Sequence, residues 1–468
     1  MTLHPASHAD TIFVQVASYR DPELLPTLVD LIRRSAKPAR LRVVVCWQHA
    51  DEQPLAAFWQ RGFGKWRVER ADGWNVHHLD FLGAKIELID VPHFATQGAC
   101  WARNLIQQRY GGERYTLQLD SHHRFVDRWD ATLVQMLESL RAHSAKPLLT
   151  AYLPSYDPAD AAPPSLRGPL TIAFSHFDEQ GIVLFRPKSP PDGEAPARPI
   201  PARFYSAHFA FADGHFADTV QHDPDYFFLG EEISIAVRAF THGYDLYHPH
   251  VVLAWHEYTR KQRVKVWDDH SVDAQRQGRV SQPWGERNRR AMQRNLELFG
   301  VDGHPLSAAR FNRYGFGIER TVADYEAYAG LCFACRGVSQ AALDNLAPMP
   351  GATRPASDDA WKASLLRSRT VRIREGRDAF DRGASAAGAR HPLGAARRIR
   401  VAVHDAAGVE LHREMLDQRM LGRHRNDDRL DFRAVFASTA ERVPARYAVE
   451  LLDDAGEVLS RVEKTLDA

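Results

Sequence analysis

Long apolar runs are missing from this chain of 468 residues. None approaches the roughly 18 residues that cross a bilayer, so no membrane span is expected. The opening Met1-Thr-Leu-His-Pro-Ala-Ser-His8 has neither the basic nor the apolar stretch of a secretory signal. An excess of one charge is missing too. Lys+Arg is 60 against Asp+Glu 59, a formal net charge of +1, and a general nucleic-acid binder relies on a basic excess. No nucleic-acid partner is expected, although a local basic pocket for a diphosphate stays compatible. Cysteine is scarce: Cys46, Cys100, Cys332 and Cys335 are the whole complement, a usage that fits a reducing, cytoplasmic setting. Cys332-Phe-Ala-Cys335 is a lone CxxC with no second pair and reads as plain thiols rather than a zinc site. What is present is ordinary: 44% hydrophobic and 25% charged residues, enough to bury a normal core without staples.

The N-terminal part alternates strand and helix patterns. Thr11–Ala17 and Leu41–Trp47 are β-branched, apolar strands. Between them Asp21-Pro22 opens a helix, with Asp21 as a cap candidate and Leu24, Leu25, Leu28, Leu31 and Ile32 as its apolar face. Strand–helix–strand at this spacing builds parallel sheets. Further strands are expected at Lys85–Val91, Tyr115–Leu119, Leu148–Tyr152, Gly181–Phe185 and Tyr205–Ala212, with helices at Gly98–Arg109, Trp129–Arg141 and Glu231–His242. Asp157–Gly168 and Pro187–Pro201 read as inserted loops of the kind that shape binding sites.

After about Gly337 the composition shifts. Ala342–Ala360 is rich in Pro, Ala and Asp, Trp361–Arg382 is basic and reads as helical, and Gly383–Gly394 reads as a flexible linker. Beyond Arg397, Arg398–His404, Leu430–Phe436 and Tyr447–Asp453 read as short strands of a small β-sandwich-like module. The fold class is α/β with an all-β C-terminal module. Domains are drawn at 1–340, a partly helical linker at 341–396, and 397–468. A chain cut near Gly383 is expected to leave a folded first domain.

Three motifs carry chemistry. Tyr115-Thr-Leu-Gln-Leu-Asp120-Ser121-His122 is an apolar strand ending in Asp-Ser-His. Open α/β sheets bind ligands at the carboxyl ends of their strands, and residues i and i+2 of an extended segment point the same way. Asp120 and His122 can therefore share a divalent ion, and this O/N donor pair suits manganese. The same residues also read as a strand-end turn in which Asp120 caps nearby amides. Gly230-Glu231-Glu232 opens a helix. Its acids either stabilise the helix dipole, by roughly 0.3–1 kcal/mol each, or accept hydrogen bonds from sugar hydroxyls. His256, just past the apolar run Val251–Ala254, is either a third metal ligand or a polar strand end.

Taken with Ala17-Ser-Tyr-Arg-Asp21, Gly98-Ala-Cys-Trp-Ala-Arg103, Trp129-Asp130, Gly243-Tyr-Asp245 and Tyr314-Gly-Phe-Gly317, these motifs resemble the cytosolic polypeptide N-acetylglucosaminyltransferases that modify hydroxyproline (glycosyltransferase family 60). The resemblance runs from about Thr11 to Gly337. The mucin-type polypeptide N-acetylgalactosaminyltransferases are more distantly similar. The resemblance implies a GT-A fold, a UDP-N-acetylglucosamine or related UDP-sugar donor, a divalent cation (Mn2+ or Mg2+), retention of configuration, and a protein or glycan hydroxyl as acceptor. It implies Asp120, His122 and His256 as metal ligands, and Asp120, Glu231 and Glu232 as the catalytic carboxylates. Ser18, Tyr19, Arg20, Gln48, Trp101, Arg103, Ser121 and His208 would bind the donor. His208 stands where the mucin-type enzymes have glycines. Alternatives are another UDP-sugar donor used in surface polysaccharide synthesis, or a nucleotide-sugar-binding protein without turnover. The C-terminal module either binds acceptor, carbohydrate or a second copy of the chain, or is a packing domain that stabilises the catalytic unit.

Overall fold

The computed structural model describes residues 10–160, 168–190, 195–259, 263–304, 310–355, 357–380, 391–426 and 428–466. The chain divides into two compact units. The first holds residues up to Phe174, Phe185–Gly330 and Ala341–Arg354, and the second holds Ser175–Leu184, Leu331–Gln340 and the chain from Pro355 onward.

The first unit is α/β. Among the described residues its main sheet has ten strands, in the order Ile200–Pro201, Asp245–His248, Pro147–Thr150, Phe209–Asp213, Tyr115–Asp120, Ile12–Tyr19, Leu41–His49, Ala84–Pro92, Trp74–Phe81 and Gly64–Ala71. The centre is parallel: Ile12–Tyr19 runs between Leu41–His49 and Tyr115–Asp120, and Leu41–His49 continues to Ala84–Pro92. Both faces are covered. Ile12, Val14 and Val16 pack with helices Leu24–Arg33 and Trp129–Leu140, while Phe13, Val44, Cys46 and Val91 pack with helix Ala99–Gln107. Burial on both sides is why these strands read as continuous apolar runs.

The second unit is all-β apart from short helices. One sheet runs Leu331–Cys332, Gly337–Val338, Leu366–Gly376, Arg429–Ser438, and the other runs Glu410–Leu416, Arg398–Asp405, Pro444–Leu452, Val458–Thr465. Val371, Ile373, Phe432 and Ala434 of the first share one core with Ile399, Val401, Val449 and Leu451 of the second, the arrangement of a sandwich. The α/β class with an appended all-β module is therefore what the structure has.

Several local expectations change. The first helix starts at Leu24, not at Asp21-Pro22. Asp21 instead receives the Glu23 and Leu24 backbone N–H groups, on Oδ1 at 2.9 Å and on its carbonyl at 3.3 Å, and so caps the turn that precedes the helix. The hairpin Gly64–Ala71 and Trp74–Phe81 is hidden in the sequence because its outer strand is polar and mostly exposed. Trp361–Arg382 is not helical throughout: a helix at Asp358–Ala363 gives way to the strand Leu366–Gly376. There Val371 and Ile373 alternate with Arg372 and Arg374, a period of two that the basic composition masks. Most of the expected linker, residues 383–390, lies outside the described residues, as do parts of both inserted loops.

The cut near Gly383 is also revised. It would keep Leu366–Gly376 but remove its partner Arg429–Ser438 and the facing sheet. Val371, Ile373 and Phe380, all buried in that core, would then be uncovered, at roughly 1.5–3 kcal/mol each. A chain ending at Gly383 is expected to elute as aggregates, judged by size-exclusion chromatography with light scattering. A monodisperse product would count against the shared core.

Candidate functional site

Parallel register builds the site. Ala17 is paired with Asp120, and Tyr19 with Gln48, so the carboxyl ends of three adjacent strands deliver Tyr19, Gln48 and Asp120 to one edge of the sheet. A cavity opens there, lined also by Asp21, Gly98, Ala99, Arg103, Ser121, His122, Phe228 and the segment Arg263–Trp267.

Asp120, His122 and His256 each offer one ligand atom, and these atoms lie within 4.8 Å of one another. His256 arrives through a small antiparallel pairing of Ala254–His256 with His123–Phe125. Asp120 Oδ2 stands 3.4 Å from His256 Nε2 and 3.7 Å from His122 Nε2, while Oδ1 accepts Arg103 Nη2 at 3.0 Å. Burial works to raise the Asp120 carboxyl, but the hydrogen bond to His256 and the Arg103 charge outweigh it and hold it well below the usual carboxylate range. Burial pushes the His256 imidazole well down, which leaves it neutral and able to ligate. One anionic oxygen with two imidazole nitrogens is a donor set that fits a divalent cation such as Mn2+.

Arg103 reaches this edge because helix Ala99–Gln107 starts hard against a neighbouring loop. Gly98 has φ 120°, and a Cβ there would lie 2.6 Å from the Phe227 carbonyl oxygen, so only glycine fits. One turn on, the guanidinium of Arg103 is buried, with Asp120 at 3.0 Å and Glu231 at 3.5 Å. Glu232 accepts the Ala207 N–H at 2.9 Å and the Tyr152 hydroxyl at 3.2 Å. Burial raises both glutamates above the ordinary range, and for Glu231 the charge of Glu232 adds to it.

The other sequence-derived residues separate into two groups. Tyr19, Gln48, Arg103 and Ser121 line the cavity with Asp120 and His122; among the described residues, Ser18, Arg20, Trp101, His208, Glu231, Glu232 and His256 are outside its lining. Gln48 donates to the Ser18 carbonyl at 3.0 Å and accepts from Thr96. Arg20 is held by Glu52 and by both oxygens of Asp269, at 3.0 and 2.9 Å, and Tyr19 donates to the same Asp269 at 2.7 Å. Trp101 packs edge-on against Trp74 at 6.0 Å. His208 is fixed by Ser206 at 2.8 Å and the Leu153 N–H at 3.3 Å, with its ring 4.4 Å from that of His256.

Sequence reasoning missed Arg263 and Lys265, which bring positive charge to the cavity, and Trp267 beside them. The basic run Arg260-Lys-Gln-Arg263-Val-Lys265 shortly after His256 was the available signal. Asp21 was read only as a helix cap; its carboxylate contacts Ser121 and His122.

A family model described as Glycosyltransferase (GlcNAc) matches residues 11–335. Among curated proteins, none is significantly similar. Among solved structures, the chain is similar to a crystal structure of GalNAc-T7 with UDP, GalNAc and Mn2+, at 12% identity and a TM-score of 0.43. That match covers 66% of this chain and 55% of the other, so the chain spans about half the length of that solved relative.

The raised Glu231 carboxyl predicts a pH effect. In an unfolded chain a glutamate ionises near ~pH 4.3. Its folded value lies higher, so the folded state binds the extra proton and loses stability as pH climbs from about 4.3 towards the raised value. Glu231→Gln removes that loss. Melting of metal-free protein should therefore show the variant gaining on the parent between about pH 5 and pH 8; a difference flat with pH would contradict the assignment.

Proposed function

The chain belongs to the family described as Glycosyltransferase (GlcNAc), and on that premise we propose that it is a GT-A-type, metal-dependent, retaining transferase. In this reading it moves N-acetylglucosamine from a UDP-sugar to a hydroxyl of a protein or glycan. The narrower assignment to the hydroxyproline-modifying family 60 enzymes of the cytosol rests on the sequence motifs. It is compatible with two observations: no described helix is long and apolar enough to cross a membrane, and the four cysteines form no disulfide.

One observation carries the reading. Two members of the Asp120, His122 and His256 cluster line the same cavity as the cationic side chains of Arg103, Arg263 and Lys265. Carboxylate and imidazole ligands for a cation, set among positive side chains, suit a metal-bound diphosphate. Asp120, His122 and His256 would hold a divalent cation, which when bound would supply Lewis-acid stabilisation of the leaving diphosphate. Arg263 and Lys265, which line the same cavity, would neutralise phosphate charge that develops as the glycosyl bond breaks. Arg103 is already committed to Asp120 and Glu231, so it holds the ligand carboxylate in place and adds charge from behind. Tyr19 and Gln48 border the nucleoside end. Glu231 and Glu232 serve the sugar side, where Glu232 is fixed by Ala207 and Tyr152.

The test is UDP release from UDP-N-acetylglucosamine with and without EDTA. It is paired with a thermal-shift panel of UDP-sugars, in which a ligand at 100 times its Kd adds about 2.7 kcal/mol. Asp120→Ala, His122→Ala and His256→Ala should each drop release to the EDTA level while the protein stays folded. Full activity in any two at limiting Mn2+ would remove the metal assignment.

A further inference from the structure

The loop after the first strand reaches across the sheet and touches the metal-ligand loop at a single carboxylate. Asp21 Oδ2 lies 2.8 Å from His122 Nδ1 and accepts the Ser121 hydroxyl at 2.7 Å. Its Oδ1 accepts the Glu23 N–H at 2.9 Å, and its own carbonyl accepts Gln53 Nε2 at 3.0 Å. The residue is 2% exposed. The carboxylate is thus held on both oxygens, by Glu23 on Oδ1 and by Ser121 on Oδ2.

We propose that Asp21 is the positioning residue for the metal site: it fixes the ring of His122 with the proton on Nδ1 and the Nε2 lone pair aimed at the cation. An ionised carboxylate only accepts hydrogen bonds. At 2.8 Å, Nδ1 must therefore be the donor, and a neutral ring then has its lone pair on Nε2. Asp21 Oδ2 also accepts the Ser121 hydroxyl and lies 3.4 Å from Arg263 Nη1, and Oδ1 accepts the Glu23 N–H, so the carboxylate faces donors on both oxygens. Arg263 Nη1 stands 3.0 Å from His122 Nε2 and 3.4 Å from Asp21 Oδ2. The same Nη1 lies 2.7 Å from Nδ1, and the opposite tautomer would let it donate there, but that would set the bare Nδ1 against the Asp21 oxygen. Carboxylates behind metal-bound imidazoles orient the ring and raise its basicity, and losing one commonly weakens metal binding 10–100-fold.

The inference rests on the metal reading above, and its test separates the two. Mn2+ is titrated into the metal-free full chain, with free ion followed by electron paramagnetic resonance. Asp21→Asn is expected to bind Mn2+ about 10–100-fold more weakly than the parent while its metal-free melting curve stays cooperative. Binding within about twofold of the parent overturns the proposal. Should Asp21→Asn fail to fold, the parent answers directly. Its 15N-histidine spectrum near pH 8, with His122→Asn as the assignment control, is expected to show the Nδ1–H tautomer at His122; the Nε2–H tautomer overturns the proposal. A parent that takes up no Mn2+ overturns the metal reading instead, and the tautomer spectrum still decides whether Asp21 fixes His122.

Discussion

The buried guanidinium of Arg103 is the contact on which the site depends. Taking a carboxylate out of water costs several kcal/mol unless a partner meets it, and Asp120 Oδ1 is met by the Arg103 charge at 3.0 Å. Oδ2 has a longer hydrogen bond with His256 Nε2 at 3.4 Å and lies 3.7 Å from His122 Nε2. The arrangement is thus half neutralised from behind and open to a cation in front. It also explains the glycine at 98. Without the close approach to the Phe227 carbonyl, helix Ala99–Gln107 would start further out, and its fifth residue could not reach between Asp120 and Glu231. A lysine in place of Arg103 would supply one point charge where the planar group now serves two carboxylates.

Glu231 and Glu232 follow from the same contact. They open a helix, where acids are normally solvated and favourable, yet here Glu231 is buried and Glu232 half-buried. Glu232 is satisfied by a backbone N–H and a tyrosine hydroxyl, which is the pattern of a group held still. Glu231 has Arg103 at 3.5 Å, a longer and weaker contact. Neighbouring acids in different surroundings are a common way to divide roles between two carboxylates, and here the two differ in their partners, a cation for Glu231 and neutral donors for Glu232.

The legible parts of the fold were those whose burial is written locally. The central strands are apolar on both faces, so Thr11–Ala17, Leu41–Trp47 and Tyr115–Leu119 stood out, and each is a strand within a residue or two at its ends. Asp120 and His122 were legible because they end such a strand. The hairpin at 64–81 and the strand Leu366–Gly376 were not, because half of each is charged and faces outward. Pairings across long separations were illegible in principle. Asp21 meets His122, and Tyr19 meets Asp269, at separations of 101 and 250 residues, and nothing in either local pattern announces the other. The second unit shows the same limit: it gathers Ser175–Leu184 and Leu331–Gln340 to the chain beyond Pro355, whereas composition alone suggested consecutive blocks.

Arg20 illustrates how placement can reverse the meaning of a residue. In the sequence it follows the first strand beside Tyr19 and suits a diphosphate. In the structure its backbone is left-handed, with φ 44°, and its guanidinium is divided between Glu52 and Asp269. A cation met by two carboxylates has little charge left for a third anion. Its effect is instead mechanical: Asp269 binds both Arg20 and Tyr19, tying the end of the first strand to the short helix Val266–Asp269. That helix begins within the segment Arg263–Trp267, which lines the cavity. Arg263 is paired in the same way, with Asp21 at 3.4 Å and Glu257 at 3.2 Å, so Arg20 and Arg263 both hold the segment after His256 against the end of the first strand.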